Sequence, residues 1–116
     1  MGMDIRGKRP DALSGESFWC WDWSSLIGIV LHLAPSETRA CEHWFTNDGD
    51  GLEAAGSIAL ADRVDRCIEE GVVDSCVARR NQLAEQLDDS TRPDLSVNDF
   101  RKFSEFLRHS GGFVIW

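Results

Sequence analysis

Hydrophobic positions recur at helical spacing through the middle and later parts of the chain and gather into short runs at its two ends. The longest amphipathic pattern runs from Glu53 to Gly71. At about 100° per residue, Leu60, Ala61, Val64, Cys67 and Ile68 share one face, and Asp62, Asp65 and Glu69 fall opposite them. Burying the first set leaves the second in water. Arg66 stands four residues from both Asp62 and Glu70, spacings that support a helix by tenths of a kcal/mol. Gly56 within this helix costs about 1 kcal/mol relative to Ala, so a neighbouring element is expected to approach closely there.

The same pattern reading gives three more helices. Leu26–Leu33 is apolar nearly all round, which predicts a buried central helix, capped by Asp22 or Ser24 and ended by Pro35. That apolar run is too short to span a bilayer. Ser36–His43 has room for one or two helical turns. Gly71 breaks the main helix, and Asp74 is expected to cap a third, with Val77, Leu83, Ala84 and Leu87 inward. Asp88–Asp94, with Pro93, reads as a loop. Ser96 opens the last helix, with Asp99 as capping-box partner and Leu95 and Phe100 at the spacing of a hydrophobic staple. Phe100, Phe103, Phe106 and Leu107 form its apolar stripe, and Gly111-Gly112 stops it. Phe113–Trp116 then reads as a strand, whose backbone groups need a ladder partner. The short Met3–Lys8 segment, centred on Ile5, is the natural one and is expected to be an edge strand. The expectation is a single α+β domain over residues 1–116, mainly helical, with about four helices and a small sheet pairing the N- and C-terminal segments.

Between the first two helical patterns lies Asn47-Asp48-Gly49-Asp50-Gly51, led in by Trp44-Phe45. Two glycines alternating with acids predict a sharp turn with positive φ at Gly49, Gly51 or both. Asp50 is then placed as N-cap of the main helix, with Glu53 three residues on as its capping-box partner. An EF-hand alignment with Gly51 at the sixth position puts Asp48 and Asp50 at the third and fifth. It leaves Thr46 and Ser57 where the loop needs a carboxylate and a bidentate Glu, so the calcium pattern fails at both ends.

Phe18–Trp23 alternates, with Trp19, Trp21 and Trp23 on one side of an extended segment. Two readings stay open for them: core, or an exposed patch of the kind enriched at binding hot spots. Five Trp and six Phe with no Tyr supply much of the core volume. The net charge of −8 is unevenly placed: fourteen acids and six bases lie between Glu37 and Asp94, and six of each outside it. Such a surface repels nucleic-acid backbones and anionic membranes and favours basic partners; the plainer reading is a solubilising face. Cys20, Cys41, Cys67 and Cys76 lack CxxC spacing, so neither a metal nor a cofactor is expected. The N-terminus shows no signal-peptide pattern, which points to a cytoplasmic chain with reduced thiols. His32 reads as a satisfied or rim histidine. No nucleophile–base–orienter spacing and no GxSxG motif stand out, so an enzyme is the weaker reading.

Met1-Gly2-Met3-Asp4-Ile5 with Gly7-Lys8, the Trp-rich segment leading into Leu26, Asn47–Leu52, and Phe103–Phe113 resemble a family of small uncharacterised bacterial and phage proteins. The shared pattern is MGxDI…NDGDGL…EFLRxSGGF. Longer members carry a CxxCxGxG insert before the last helix, where this chain has only Asp88–Asp94, so no zinc role carries over. The resemblance implies a phage or mobile-element setting and transfers no activity. By analogy with phage-borne acidic domains, the expected function is a non-enzymatic protein-binding module that inhibits a host nucleic-acid-binding defence complex by occupying its basic surface. Asp48, Asp50, Glu53, Asp62, Asp65 and Glu69 are its candidate contact residues, without direct binding of nucleic acid or membrane. A small cation-binding or regulatory domain centred on the 47–53 turn is the first alternative, and an enzyme the second.

Overall fold

The computed structural model describes residues 4–46, 49–87 and 94–116. Its elements run β1 (Ile5–Gly7), β2 (Ser17–Phe18), α1 (Trp23–Leu33), β3 (Asp50–Glu53), α2 (Ala54–Glu69), α3 (Val72–Gln86), α4 (Val97–His109) and β4 (Gly112–Ile115), with a short 3-10 turn at Leu13–Gly15. The α+β expectation holds: four helices accompany an antiparallel sheet in the order β2-β1-β4-β3. The two terminal segments pair as anticipated, Ile5 opposite Ile115 and Gly7 opposite Phe113. β1 is nevertheless an interior strand, because the two-residue β2 covers its other side with Ile5 opposite Phe18.

Period-two alternation sorts the sheet into two faces. Phe18, Ile5, Ile115, Phe113 and Leu52 are all buried on one face, whereas Ser17, Arg6 and Glu53 on the other are exposed. α2 and α4 form the largest inter-element interface in the fold, and α2 packs on β4. The rings between the sheet and the helices interlock at tilted angles: Phe18–Phe103 at 5.1 Å, Phe106–Phe113 at 6.0 Å, and Trp23 edge-on to Phe103 at 5.8 Å. The Trp23 indole N–H donates to the Trp44 carbonyl at 2.7 Å, so this large ring is buried with its polar atom satisfied.

The helices start where capping chemistry is available. Asp22 caps α1, its carboxylate accepting from the Ser25 N–H. α1 buries Trp23, Leu26, Ile27 and Val30, while His32 and Gly28 are exposed, so it is a one-sided helix rather than one buried all round. Ser96 and Asp99 complete the expected capping box of α4, and Leu95 and Phe100 are both buried. α3 departs from expectation. It begins at Val72, directly after Gly71 at φ 76°, because that left-handed residue lets the chain turn straight from one helix into the next; Asp74 lies in its first turn and is not its cap. Val73 and Val77 are its buried residues, and Ala84 is half-buried. Leu83 is off this stripe and Leu87 is the C-cap residue, so both are exposed rather than inward.

Candidate functional site

Asp50 lies in β3, opposite Ile115, and is not the cap of α2. The chain forms a strand before it forms the helix, which moves the helix start to Ala54, with Glu53 as an N-cap that makes no side-chain capping bond. Asp50 instead gathers its own loop. Its Oδ2 accepts from the Glu42 N–H at 2.9 Å and the His43 N–H at 3.1 Å, and lies 3.1 Å from the His43 Nδ1; its Oδ1 accepts from the Gly51 N–H at 2.9 Å. The backbone N–H of Glu42, followed by that of Gly51, holds the carboxyl well below its usual range, at about 2. Burial, followed by the nearby Asp50 charge, pushes the Cys41 thiol up to about 12. N–H donors crowd both oxygens of Asp50, which is the reverse of the environment a cation needs. Asp48 lies outside the described residues.

Gly49 has the expected positive φ, 79°, and packs against the Trp116 ring. Gly51 is required for a different reason: a Cβ there would collide with the Phe113 carbonyl oxygen of β4. Gly56 needs no such explanation, because a Cβ at that position would meet only Leu52 at ordinary contact distance. The close approach of α2 to α4 falls one residue on, where the buried Ser57 hydroxyl donates to the Leu107 carbonyl at 2.6 Å.

The acids on α2 do not form one free stripe. Asp65 accepts from the Ser104 hydroxyl at 2.5 Å and from Arg108 at 2.7 Å, and Asp62 pairs with the same guanidinium at 2.9 Å. Asp65 is thus half-buried between α2 and α4, contrary to the expectation that it faces solvent. Glu53 is exposed and pairs with Lys8 at 2.9 Å. Glu69 is exposed, with no partner among the described residues. Of the five described candidates, then, Asp50, Asp65 and Asp62 are engaged in holding the fold, Glu53 meets a surface lysine, and Glu69 alone keeps its charge for solvent.

The aromatic segment resolves differently from the way its spacing suggests. The alternation is real, but its phase is set by β2: Phe18 is buried, Cys20 half-buried, and Trp19 and Trp21 point outward. α1 then begins at Trp23, and the helical turn swings that ring back into the core. Trp19 is 62% and Trp21 66% exposed, and their rings meet edge-to-face at 5.8 Å. They wall a groove of about 250 Å³ that continues over Phe18, Cys20 and Leu95. Asp22, Asp94, Asp99 and Lys102 supply its charge.

Two sets of polar contacts hold this groove in shape. Arg80 of α3 pairs with Asp22, both side chains only 12% exposed, and burial of Asp22 is outweighed by bonds from Ser25 and Arg80 that keep its carboxyl below the usual range. The Asn81 side chain bonds both ways with the Leu95 backbone, donating to its carbonyl at 2.8 Å and accepting from its N–H at 3.0 Å. Asp99 accepts from Ser96 only through Oδ2, so its Oδ1 keeps no partner among the described residues, and Asp94 is exposed without one. Burial pushes the Cys20 thiol up, which keeps it neutral and apolar in the groove floor. Sequence reasoning placed Asp94 in the acidic segment and Asp99 in a cap. Nothing in their spacing connects them to Trp19 and Trp21, because the fold alone brings the start of α4 beside the β2–α1 connection.

Among the described residues, no three His, Cys, Asp or Glu side chains converge as a metal ion would require. The His109 Nδ1 lies 2.7 Å from Asp11 and the His109 carbonyl accepts from the Asp11 N–H, so this His–Asp pair fastens the loop after β1 to the end of α4. No helix among the described residues is long and apolar enough to cross a membrane. Comparison with protein-family models, curated proteins and solved structures finds no match.

Proposed function

We propose that this protein is a non-enzymatic binding module that docks on a basic surface of another protein and, in a phage or mobile-element setting, inhibits a nucleic-acid-binding host complex by occupying that surface. The observation that carries the reading is the pair of exposed tryptophans beside Asp94 and Asp99. Large rigid rings that remain in water cost solubility, and such side chains are enriched where partners bind. The charge balance of −8 favours a basic partner and opposes direct contact with a nucleic-acid backbone. The contact surface proposed here centres on Trp19, Trp21, Asp94 and Asp99, with Glu69 contributing long-range attraction. Charges of that kind act mostly on association rate and its salt dependence.

The reading is tested by competition. The immobilised protein is exposed to host-cell extract at low ionic strength, and bound proteins are eluted with either salt or duplex DNA. A partner held through its nucleic-acid-binding surface is released by both, because DNA and this protein compete for the same basic residues. Capture that resists both salt and excess DNA would contradict the proposal.

A further inference from the structure

We infer that the groove walled by Trp19 and Trp21 is a receptor for an arginine side chain projecting from a basic segment of the partner protein. The inference rests on the basic-partner reading and specifies the chemistry of its central contact. A guanidinium is planar, weakly hydrated for a cation, and carries five N–H donors in a fixed fork. The groove offers a counterpart to each property. The two indole rings, edge-to-face at 5.8 Å, present a π face on which a flat cation stacks. Phe18, Cys20 and Leu95 give an apolar floor for the methylene stem. Asp94 and the Oδ1 of Asp99 retain acceptor capacity toward the donors.

The groove is also built before the ligand arrives. Asp22 is tied to Arg80, and Leu95 to Asn81, so the connection carrying the tryptophans and the segment entering α4 are fixed relative to α3. A preformed site of this kind loses less freedom on binding than a pair of mobile rings would. Lysine fits less well: its ammonium is compact and strongly hydrated and has no plane to stack. Lys102 also lines the groove and opposes any cation there. It therefore supplies an internal control, because removing it should strengthen binding of a cationic ligand and should leave a purely apolar contact unchanged.

The test uses the full chain labelled with 15N and titrated at low salt with capped hexa-arginine and hexa-lysine peptides. Hexa-arginine is expected to shift the indole N–H signals of Trp19 and Trp21 while those of the buried Trp23 and Trp44 stay in place. Trp19→Ala and Trp21→Ala should each weaken hexa-arginine binding about tenfold, and Lys102→Ala should tighten it about two- to threefold. Both tryptophans are exposed, so their removal leaves the core intact; Lys102→Ala keeps the rings and tests the charge alone. Equal binding of hexa-lysine, or undiminished binding by the tryptophan variants, would overturn the arginine groove while leaving a basic partner possible elsewhere on the surface. Indole shifts that depend on protein concentration without peptide would assign the groove to a second copy of the chain and overturn the inference. Failure of both peptides to bind at low salt would contradict the basic-partner reading itself.

Discussion

Asp50 shows how one side chain can be legible in kind and misplaced in role. Its position after two turn-forming residues marks it as an acceptor for nearby N–H groups, which it is. The donors come from Glu42, His43 and Gly51, however, and not from the first turn of α2. The difference arises because Gly51 and Leu52 pair with β4 across the sheet, a long-range event that no local pattern encodes. The folded pKa, about 2, lies below the ordinary carboxylate range, so the folded state favours the charged form. Its stabilising contribution is complete above the ordinary range near 4 and is lost as pH falls through about 2. Asp50→Asn should therefore lower stability at neutral pH by about 1–2 kcal/mol and flatten the acid limb of the stability curve, as measured by denaturant unfolding at a series of pH values. At the same scale, the tryptophan triplet was legible as an alternation but not in its phase. Phe18 sets that phase by pairing with Ile5, and α1 then reverses it for Trp23.

At the scale of elements, helical periodicity identified α2 and α4 well, because their apolar stripes face each other across the largest interface in the fold. It could not separate acids that are free from acids that are engaged. Asp62, Asp65 and Glu69 share a face by angle, yet α4 reaches over with Ser104 and Arg108 to take Asp65, and Arg108 also takes Asp62. Asp65→Asn should consequently cost about 1–2 kcal/mol, whereas Glu69→Lys should stay within about 0.5 kcal/mol. Parallel thermal melts of the two variants check the contrast, and equal melting temperatures would mean that the Asp65 contacts contribute nothing net. The capping box of α4 was legible to the residue, since both partners lie within one helical turn of each other. α3 was the least legible helix. Its inward face is built partly from Arg80 and Asn81, which make polar ties to Asp22 and Leu95, and a search for apolar periodicity passes over such residues.

At the scale of the whole molecule, pairing of the two terminal segments was legible because each is a short apolar run with no local partner. The rest of the sheet was not. β2 is two residues long and β3 is hidden inside a glycine-rich turn, so neither carries a strand signature. With both present, β4 lies between β1 and β3 and bears Phe113 and Ile115, each fully buried. Deleting Phe113–Trp116 should therefore abolish cooperative thermal unfolding of the whole domain, not merely fray one edge. The candidate site was less legible still, because Asp94 and Asp99 lie more than seventy residues after Trp19 and Trp21 in sequence and meet them only through the placement of α4 beside the β2–α1 connection. The central claim is that this acidic, tryptophan-walled groove meets a basic segment of another protein. The most direct measurement replaces Trp21 with a photoreactive aromatic residue, irradiates the protein in host extract, and maps the cross-linked peptide by mass spectrometry. The account predicts cross-links to an arginine-rich segment of a nucleic-acid-binding protein, suppressed by high salt. Cross-links confined to neutral or acidic segments, or to a second copy of this chain, would contradict it.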